Sequence, residues 1–308
     1  MSPVARRRKG RNISGVLLLN KPTGISSNKA LQRVRAMLNA SKGGHTGNLD
    51  PMATGLLPLC FGEATKFSSY LLDADKAYIA CARLGQITDS GDADGEMIEE
   101  RPVPEITEEQ IRQVMDQFTG DIEQVPPMYS ALKQNGQPLY KLAREGKTVE
   151  RKPRPVTIFQ IELISWQSPD LTFSVRSSKG TYVRTLAEDM AEALGPGAHL
   201  ISLHRTHTGG FAADAMIDMD QLQSERDQEL SLDGYLMSPD VLVAHFPQKN
   251  LSATESQRIL HGQDVANDGN LTGMVRLYDA EDQFIGLAEA TDEGRLQPRR
   301  IVVTEQND

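Results

Sequence analysis

The sequence GGHTGNLDPMATG occupies residues 43–55 and separates a predicted helix from a predicted buried strand. It holds four glycines, one histidine (His45) and one aspartate (Asp50), and catalytic groups concentrate in loops that are held by rigid flanks. Pro51 fixes its own backbone and restricts Asp50 to extended conformations, so the carboxylate is presented stiffly. Such a carboxylate can serve as nucleophile, base or metal ligand; the alternative is an Asp-Pro turn without chemistry.

The segments around this stretch show clear periodicity. Strands are predicted at 15–20, 56–61, 78–84, 156–164 and 171–176. Helices are predicted after Ser26 and Ser27, over 63–72, after a capping box at Thr107, and from a cap at Thr181 to Gly195. Strands and helices thus follow one another without an internal repeat.

A second candidate site is Lys179-Gly-Thr-Tyr-Val-Arg-Thr185, at a predicted helix N-terminus. Exposed amides and flanking cations at such an end suit an anion. Arg184 can equally pair with a buried carboxylate and hold it ionised. A third interpretation is an ordinary capped helix with surface charges.

Length and composition describe a soluble globular protein of the cytoplasm. The 308 residues are about twice a typical single domain of ~150, so a large and a small domain are expected. No apolar run approaches the ~20 residues that span a bilayer, and no secretory signal is predicted. Only Cys60 and Cys81 occur, both in apolar runs, which predicts buried free thiols in a reducing compartment.

The net charge of −9 conceals an uneven distribution. Residues 1–84 carry 13 basic and 4 acidic groups and residues 125–210 carry 11 and 7, whereas residues 85–124 carry 2 and 12. Two basic blocks can form one positive face for a polyanion, with the acidic groups on the far side.

The sequence divides into three predicted regions. Residues 1–11 form a basic arm, residues 12–248 the catalytic domain, and residues 249–308 a small β-rich domain of short, evenly spaced strands. Residues 125–155, within the second region, are rich in Pro, Gly and basic residues without periodicity, which is typical of a binding loop.

Several common sites are absent from the sequence. The acidic turn at 89–95 resembles a calcium loop, but the EF-hand register places Ser90 first and Arg101 twelfth, where acids are required. The six histidines form no zinc pattern with the two cysteines. Neither a Walker A sequence nor a dinucleotide fingerprint is present, so we expect no metal and no cofactor.

Six motifs together resemble the bacterial tRNA pseudouridine-55 synthases of the TruB family. They are GVLLLNKPTGISS (15–27), GHTGNLDPMATG (44–55), GEATK (62–66), PMYSALK (127–133), SKGTYVRT (178–185) and GAHL (197–200). Asn48 departs from the small residue that is often found there, and His204-Arg205 replaces a common Arg-Arg pair, which leaves one phosphate contact open.

The resemblance implies a fold, a reaction and a partner. The fold would be of the α+β class, with a mixed β-sheet, helices and loops around a central cleft, followed by a PUA-like domain. Residues 125–155 would be a loop region that clamps the RNA. The reaction would isomerise uridine 55 of the tRNA T-loop to pseudouridine by base flipping, without a cofactor, in a monomer that uses no guide RNA and contacts no membrane.

The resemblance also implies residue roles. Asp50 would be the nucleophile, Arg184 its partner, and Tyr78 a stacking and catalytic residue; His45 would fill the vacated space, and Tyr182 and Leu203 would line the pocket. Lys21 and Lys133 would be phosphate or structural contacts.

Three rival functions remain open at this point. The first is a protein that only remodels tRNA, the second a guide-RNA-dependent synthase, and the third an aspartate-dependent hydrolase. Remodelling can also accompany catalysis. An intact set of Asp50, Tyr78 and Arg184 disfavours the first as the sole role, and the lack of a long Lys-rich C-terminal tail disfavours the second. A missing second catalytic acid disfavours the third.

Overall fold

The computed structural model describes residues 10–303. Up to residue 227 the strands and α-helices, in chain order, are β1 (Gly15–Lys21), α1 (Ser27–Met37), β2 (Gly43–His45), β3 (Thr54–Phe61), α2 (Ser68–Leu72), β4 (Lys76–Leu84), β5 (Gln86–Thr88), β6 (Met97–Glu100), α3 (Glu108–Gln117), β7 (Gly120–Gln124), β8 (Lys133–Gln134), β9 (Gln137–Pro138), α4 (Leu139–Arg144), β10 (Arg154–Gln167), β11 (Asp170–Ser177), α5 (Val183–Leu194), β12 (Ala198–Thr208), β13 (Phe211–Ala212), β14 (Ile217–Asp218) and α6 (Met219–Asp227). Of these strands, β5 pairs with β6 and β8 with β9 in two separate two-stranded sheets. The remainder comprises β15 (Gln248–Asn250), α7 (Ala253–Leu260), β16 (Val265–Ala266), β17 (Met274–Tyr278), β18 (Phe284–Ala290) and β19 (Arg295–Ile301).

A ten-stranded mixed sheet forms the main body, with the strand order β14-β1-β3-β12-β4-β11-β10-β7 and with β2 and β13 paired to β3 and β12. Its β1–β14 and β3–β12 pairs are parallel and the other pairs are antiparallel. The apolar faces of α1, α3 and α5 cover one side, because Val34, Ile111 and Leu186 join the same buried cluster as Leu17 and Phe173 of the strands. The predicted mixed-sheet α+β fold is confirmed.

The parallel junction between β3 and β12 consists of two residue pairs, His204 with Thr54 and Arg205 with Gly55. Gly55 has a φ of +98°, and a Cβ placed there would lie 2.4 Å from the Arg205 carbonyl oxygen. Only glycine allows the two backbones to approach so closely. The junction joins two halves of the sheet directly beside the stretch that carries Asp50.

A second sheet of five strands, in the order β15-β17-β18-β19-β16, forms the C-terminal region. It packs against the back of β1 and β3 through a shared cluster in which the Phe67 and Phe284 ring centroids are 5.3 Å apart. The Lys66 ammonium also donates to the Ile301 carbonyl at 2.8 Å. The chain therefore ends in the expected β-rich region; its domain boundary after residue 248 and its PUA-like character stay predictions.

Three local predictions need correction. Thr181 does not cap α5: Tyr182 occupies the cap position, and the Thr181 hydroxyl donates instead to the Ser178 carbonyl at 3.0 Å. The predicted helix over 63–72 is a 3₁₀-helix at 62–66 followed by the short α2. Cys60 is buried, but Cys81 is only half-buried.

Two further predictions concern the basic N-terminal arm and the lack of a membrane-spanning segment. Residues 1–9 of the predicted basic arm lie outside the described residues; Arg11, at the arm's end, forms an ion pair with Asp233. No helix within residues 10–303 is long and apolar enough to cross a membrane.

Candidate active site

The loop of residues 46–53, which we call the catalytic loop, connects β2 to β3 and carries Asp50. Buried Ser27 holds the residue before Asp50, because its hydroxyl accepts from the Leu49 amide at 2.7 Å and lies 3.1 Å from the Leu49 carbonyl. The Lys21 ammonium holds the residue after it, donating to the Pro51 carbonyl at 3.3 Å and to two carbonyls of its own turn at 2.8 Å. The turn between β1 and α1 thus fixes the nucleophile candidate from both sides.

Asp50 pairs with Arg184, the second residue of α5. The Arg184 Nε lies 3.0 Å from Asp50 Oδ2, and the side chains are 4% and 38% exposed. The guanidinium also donates to the Ser90 carbonyl at 2.6 Å and to the Tyr129 carbonyl at 2.7 Å, and it lies 3.5 Å from Asp92 Oδ2. A buried, fully bonded arginine therefore presents a carboxylate that incoming molecules can reach.

Opposing influences set the ionisation of Asp50. Burial raises the pKa of Asp50 above its ordinary value, and the nearby carboxylates of Asp92 and Asp94 act in the same direction. The charges of Arg184 and Lys21 lower it and favour the ionised form. The ionised form of Asp50 is therefore less stabilised than it would be if the ion pair with Arg184 acted alone. A less stabilised carboxylate suits a reactive group.

A second acid of unusual ionisation lies on the next turn of α5. Burial raises the pKa of Glu188 to about 7, while the charge of Arg184 acts against this shift. Gly91 packs directly over it, since a Cβ at Gly91 would lie 2.6 Å from Glu188 Oε1. This carboxyl is part of the surroundings of the ion pair and titrates near neutral pH.

Tyr78 and Leu203 lie on neighbouring strands and point to the same face of the sheet. Both are buried, and the register pairs Tyr78 of β4 with Arg205 of β12, two residues along from Leu203. Tyr78 lines a groove of about 1010 Å³ together with Lys76, Arg176 and His207. Asp73 and Asp75 line the same groove, and Asp75 lies 3.5 Å from Arg176, so the groove carries charges of both signs.

Tyr182 lines a different cavity, of about 360 Å³, with Gln124, Lys179 and Arg154. Its backbone amide and carbonyl both bond to the Gln124 side chain, at 2.8 and 3.1 Å. The charges of Arg184 and Asp50 also act on the Tyr182 phenol, whose pKa is raised mainly by burial, so Tyr182 lies beside the ion pair.

The other predicted site residues have distinct surroundings. His45 is half-buried in β2, its Nδ1 has no hydrogen-bond partner among the described residues, and burial lowers its pKa. Lys133 is exposed on the small β8–β9 hairpin. Lys21 is fully buried, so of the two predicted roles its contacts support the structural one and not contact with phosphate.

Sequence reasoning missed the groups that hold Arg184. The acidic turn at 89–95 was interpreted without function, yet it supplies the Ser90 carbonyl and the Asp92 carboxylate. Buried Asp92 is itself held by the Ser90 hydroxyl at 2.6 Å. The sequence offered only an indirect signal, namely an Asp-rich turn and a separate motif that contains Arg184. Because the two segments are far apart along the chain, the sequence did not show that they are in contact.

Comparison with protein families gives matches along most of the chain. The N-terminal domain of TruB family pseudouridylate synthases matches residues 35–183. The C-terminal domain of tRNA pseudouridylate synthase B matches residues 184–244, and a further C-terminal region of pseudouridine synthase II TruB matches residues 247–302.

Two curated relatives, each named tRNA pseudouridine synthase B, are similar to nearly the whole chain. The protein of Pseudomonas aeruginosa (strain UCBPP-PA14) is 52% identical over 306 residues, which covers 98% of this chain and 99% of the relative. That of Chromohalobacter salexigens is 51% identical over 304 residues and covers 98% of each.

Two solved structures share the fold. A Cbf5-Nop10-Gar1 complex contains a chain with a TM-score of 0.73 and 25% identity, covering 95% of this chain and 86% of that one. An H/ACA RNP bound to a substrate RNA containing 2'-deoxyuridine contains a chain with a TM-score of 0.72 and 23% identity, covering 99% and 93%. Because about half of its residues are identical to those of the curated relatives over nearly the full length, the chain belongs to the TruB family of pseudouridylate synthases.

Proposed function

We propose that this chain is a tRNA pseudouridine-55 synthase, which isomerises uridine 55 of the tRNA T-loop without a cofactor. The observation that carries the proposal is the partly exposed Asp50 carboxylate in its ion pair with buried Arg184. The relatives that match it over 98% of its length are named tRNA pseudouridine synthase B.

The reaction is balanced within the substrate. The bond from uracil N1 to ribose C1′ breaks, a bond from C5 to C1′ forms, C5 loses a proton and N1 gains one. No oxidant or reductant enters, because the product is an isomer of the substrate. Asp50 is the nucleophile that stabilises the separated sugar and base while the base turns.

Access to the uridine requires it to leave the stack of the T-loop, at a cost of a few kcal/mol. The Tyr78 ring stacks on the flipped uracil, and its phenol is the candidate proton carrier. His45 fills the space that the base leaves, while Leu203 and Tyr182 bound the pocket. Lys133 contacts phosphate on the outer side, and the protein acts as a cytoplasmic monomer.

Full-length relatives that are named for tRNA argue against dependence on a guide RNA. The guide-dependent alternative comes from the H/ACA RNP, whose chain is 23% identical and therefore shows a shared fold alone. An accompanying role in tRNA folding is compatible with the same binding surface, and it requires no nucleophile.

The test is to incubate the purified protein with an unmodified tRNA transcript, in the absence of any other RNA, and to map pseudouridine. We expect modification at position 55 by wild type and none by Asp50→Asn. Modification elsewhere, or only after a guide RNA is added, would contradict the proposal. If Asp50→Asn still accelerates tRNA folding, the folding role is separate from catalysis.

A further inference from the structure

Arg205 of β12 is the largest fully buried side chain described, and it is 1% exposed. No carboxylate of residues 10–303 forms an ion pair within 4.0 Å of its nitrogens. Its Nη2 also has no hydrogen-bond partner among these residues. The chain thus buries a guanidinium that is paired with no acid, unlike Arg184.

Stability does not explain such a residue. Burying a charge without a partner is costly, and replacing buried ionic groups with well-packed apolar side chains is often neutral or stabilising. It is also not the phosphate contact that the sequence left open at His204-Arg205, because the guanidinium is closed off from the surface. The role of Arg205 must therefore follow from the groups to which its guanidinium donates hydrogen bonds.

Those donors reach the catalytic loop before Asp50 and the strand β3 after it. Arg205 Nε donates to the Leu56 carbonyl at 2.7 Å, and Nη1 donates to the Asn48 carbonyl at 3.4 Å. A Cβ at Gly47 would lie 3.7 Å from Nη1, and the backbone of Arg205 lies against Gly55. One residue therefore touches the chain on either side of Asp50.

We infer that Arg205 is a positioning residue for the nucleophile. Its planar fork joins the first part of the catalytic loop to the beginning of β3, so that the Asp50 carboxylate stays aligned with Arg184. Lysine has a single nitrogen and cannot reproduce the fork geometry. This inference rests on the proposed function for its link to rate, but the fixing of the loop can be measured without any reaction.

The experiment compares wild type with Arg205→Met and Arg205→Lys. The readouts are thermal unfolding, hydrogen–deuterium exchange, tRNA affinity and single-turnover pseudouridine formation. We expect Arg205→Met to unfold at a temperature no lower than wild type and to exchange faster within residues 46–53 only. Because small misplacements of reacting groups are costly, its rate should fall roughly 10- to 100-fold while tRNA affinity is unchanged. Arg205→Lys, which keeps one donor, should be intermediate.

The pH profile separates positioning from electrostatics. Since Arg205 does not contact Asp50, the acid limb of the rate should keep its midpoint in Arg205→Met. Arg83→Met is the matched control, because this arginine lies on the adjacent β4 but bonds to Asp170 at 2.8 Å. It should match wild type in rate and in exchange of the catalytic loop.

Two results would overturn the inference. One is an Arg205→Met enzyme with wild-type rate and exchange. The other is a rate loss accompanied by faster exchange throughout the large sheet and a lower unfolding temperature, which would make Arg205 a general structural residue. If wild type itself formed no pseudouridine, the proposed function would fail, while the exchange data would still decide whether Arg205 fixes the loop.

Discussion

The catalytic loop and the basic loop, residues 125–153, both reach the Asp50–Arg184 pair, but they are held differently. Lys21, Ser27 and Arg205 bond the catalytic loop or the strand that follows it. The basic loop is fixed near its base, where the Tyr129 carbonyl accepts from Arg184, and beyond it only Ser130 and Leu139 are buried.

This difference separates two requirements of the reaction. A nucleophile must keep its geometry before the substrate arrives, since misalignment directly reduces the rate. A surface that follows an RNA backbone gains from exposed, long cationic side chains. We therefore expect changes in the catalytic loop to affect rate and changes in the basic loop to affect affinity.

The largest effect is expected for Asp50→Asn, which keeps the shape and removes the proposed nucleophile. Pseudouridine formation should vanish, whereas tRNA affinity should stay within several-fold of wild type, as measured by product mapping and filter binding. Asp214→Asn, at an exposed position, is the control. Product above a few per cent of the wild-type level would remove Asp50 from the mechanism.

Arg184→Lys should come next, because an ammonium lacks the fork that bonds Asp50, Ser90 and Tyr129 together. The single-turnover rate should fall, and its acid limb should move to higher pH. The sign follows from Asp50, whose pKa is already raised by burial and rises further when its cation is weakened. A normal rate with an unmoved limb would show that any nearby positive charge suffices.

Tyr78→Phe tests whether the groove residue acts by stacking alone. Stacking on an aromatic face is worth ~1–3 kcal/mol and hardly distinguishes tyrosine from phenylalanine. We expect normal tRNA affinity with most of the single-turnover rate lost, and a weaker affinity in Tyr78→Leu. A Phe variant at full rate would leave Tyr78 as a platform and place the proton carrier elsewhere.

Removal of positive charge from the basic loop should give a smaller effect, on tRNA affinity and not on rate. Lys133→Ala and Lys141→Ala should weaken tRNA binding by a few-fold and reduce the dependence of log affinity on log salt by about 1 for each phosphate that is no longer neutralised. The single-turnover rate at saturating tRNA should be unchanged. A slower rate at saturation would erase the distinction between the two loops.

Glu188→Gln gives the smallest expected effect, on stability. Burial raises the folded-state pKa of Glu188 to about 7. The contribution of this carboxyl to stability is therefore fully present at a pH below the ordinary pKa of glutamate, and it is lost as the pH rises through 7. Wild type should therefore lose a few degrees of unfolding temperature between pH 5 and pH 8 that Glu188→Gln does not lose. Parallel curves for both proteins would show that solvent screens this carboxyl.

The sequence predicted elements better than it predicted contacts. Periodicity located the strand with Tyr78 and the capped helix after Ser26, because local pattern sets both. The resemblance paired Arg184 with Asp50, as the structure has them. The partners of Arg184 come from turns 55 and 94 residues away along the chain, and no local pattern reports them. The burial of Arg205 was also beyond reach, since arginine is almost always a surface residue.

The short junction between β3 and β12 has a consequence for how this protein can fold and evolve. Asp50, Lys21 and Ser27 precede it on one half of the sheet, whereas Tyr78, Arg184 and Arg205 belong to the other half. Neither half carries all of the proposed site residues, so we expect a fragment of the chain to have no activity. The proposed site forms only when the two halves of the sheet pack together. Measuring the activity therefore also measures whether the tertiary structure is complete.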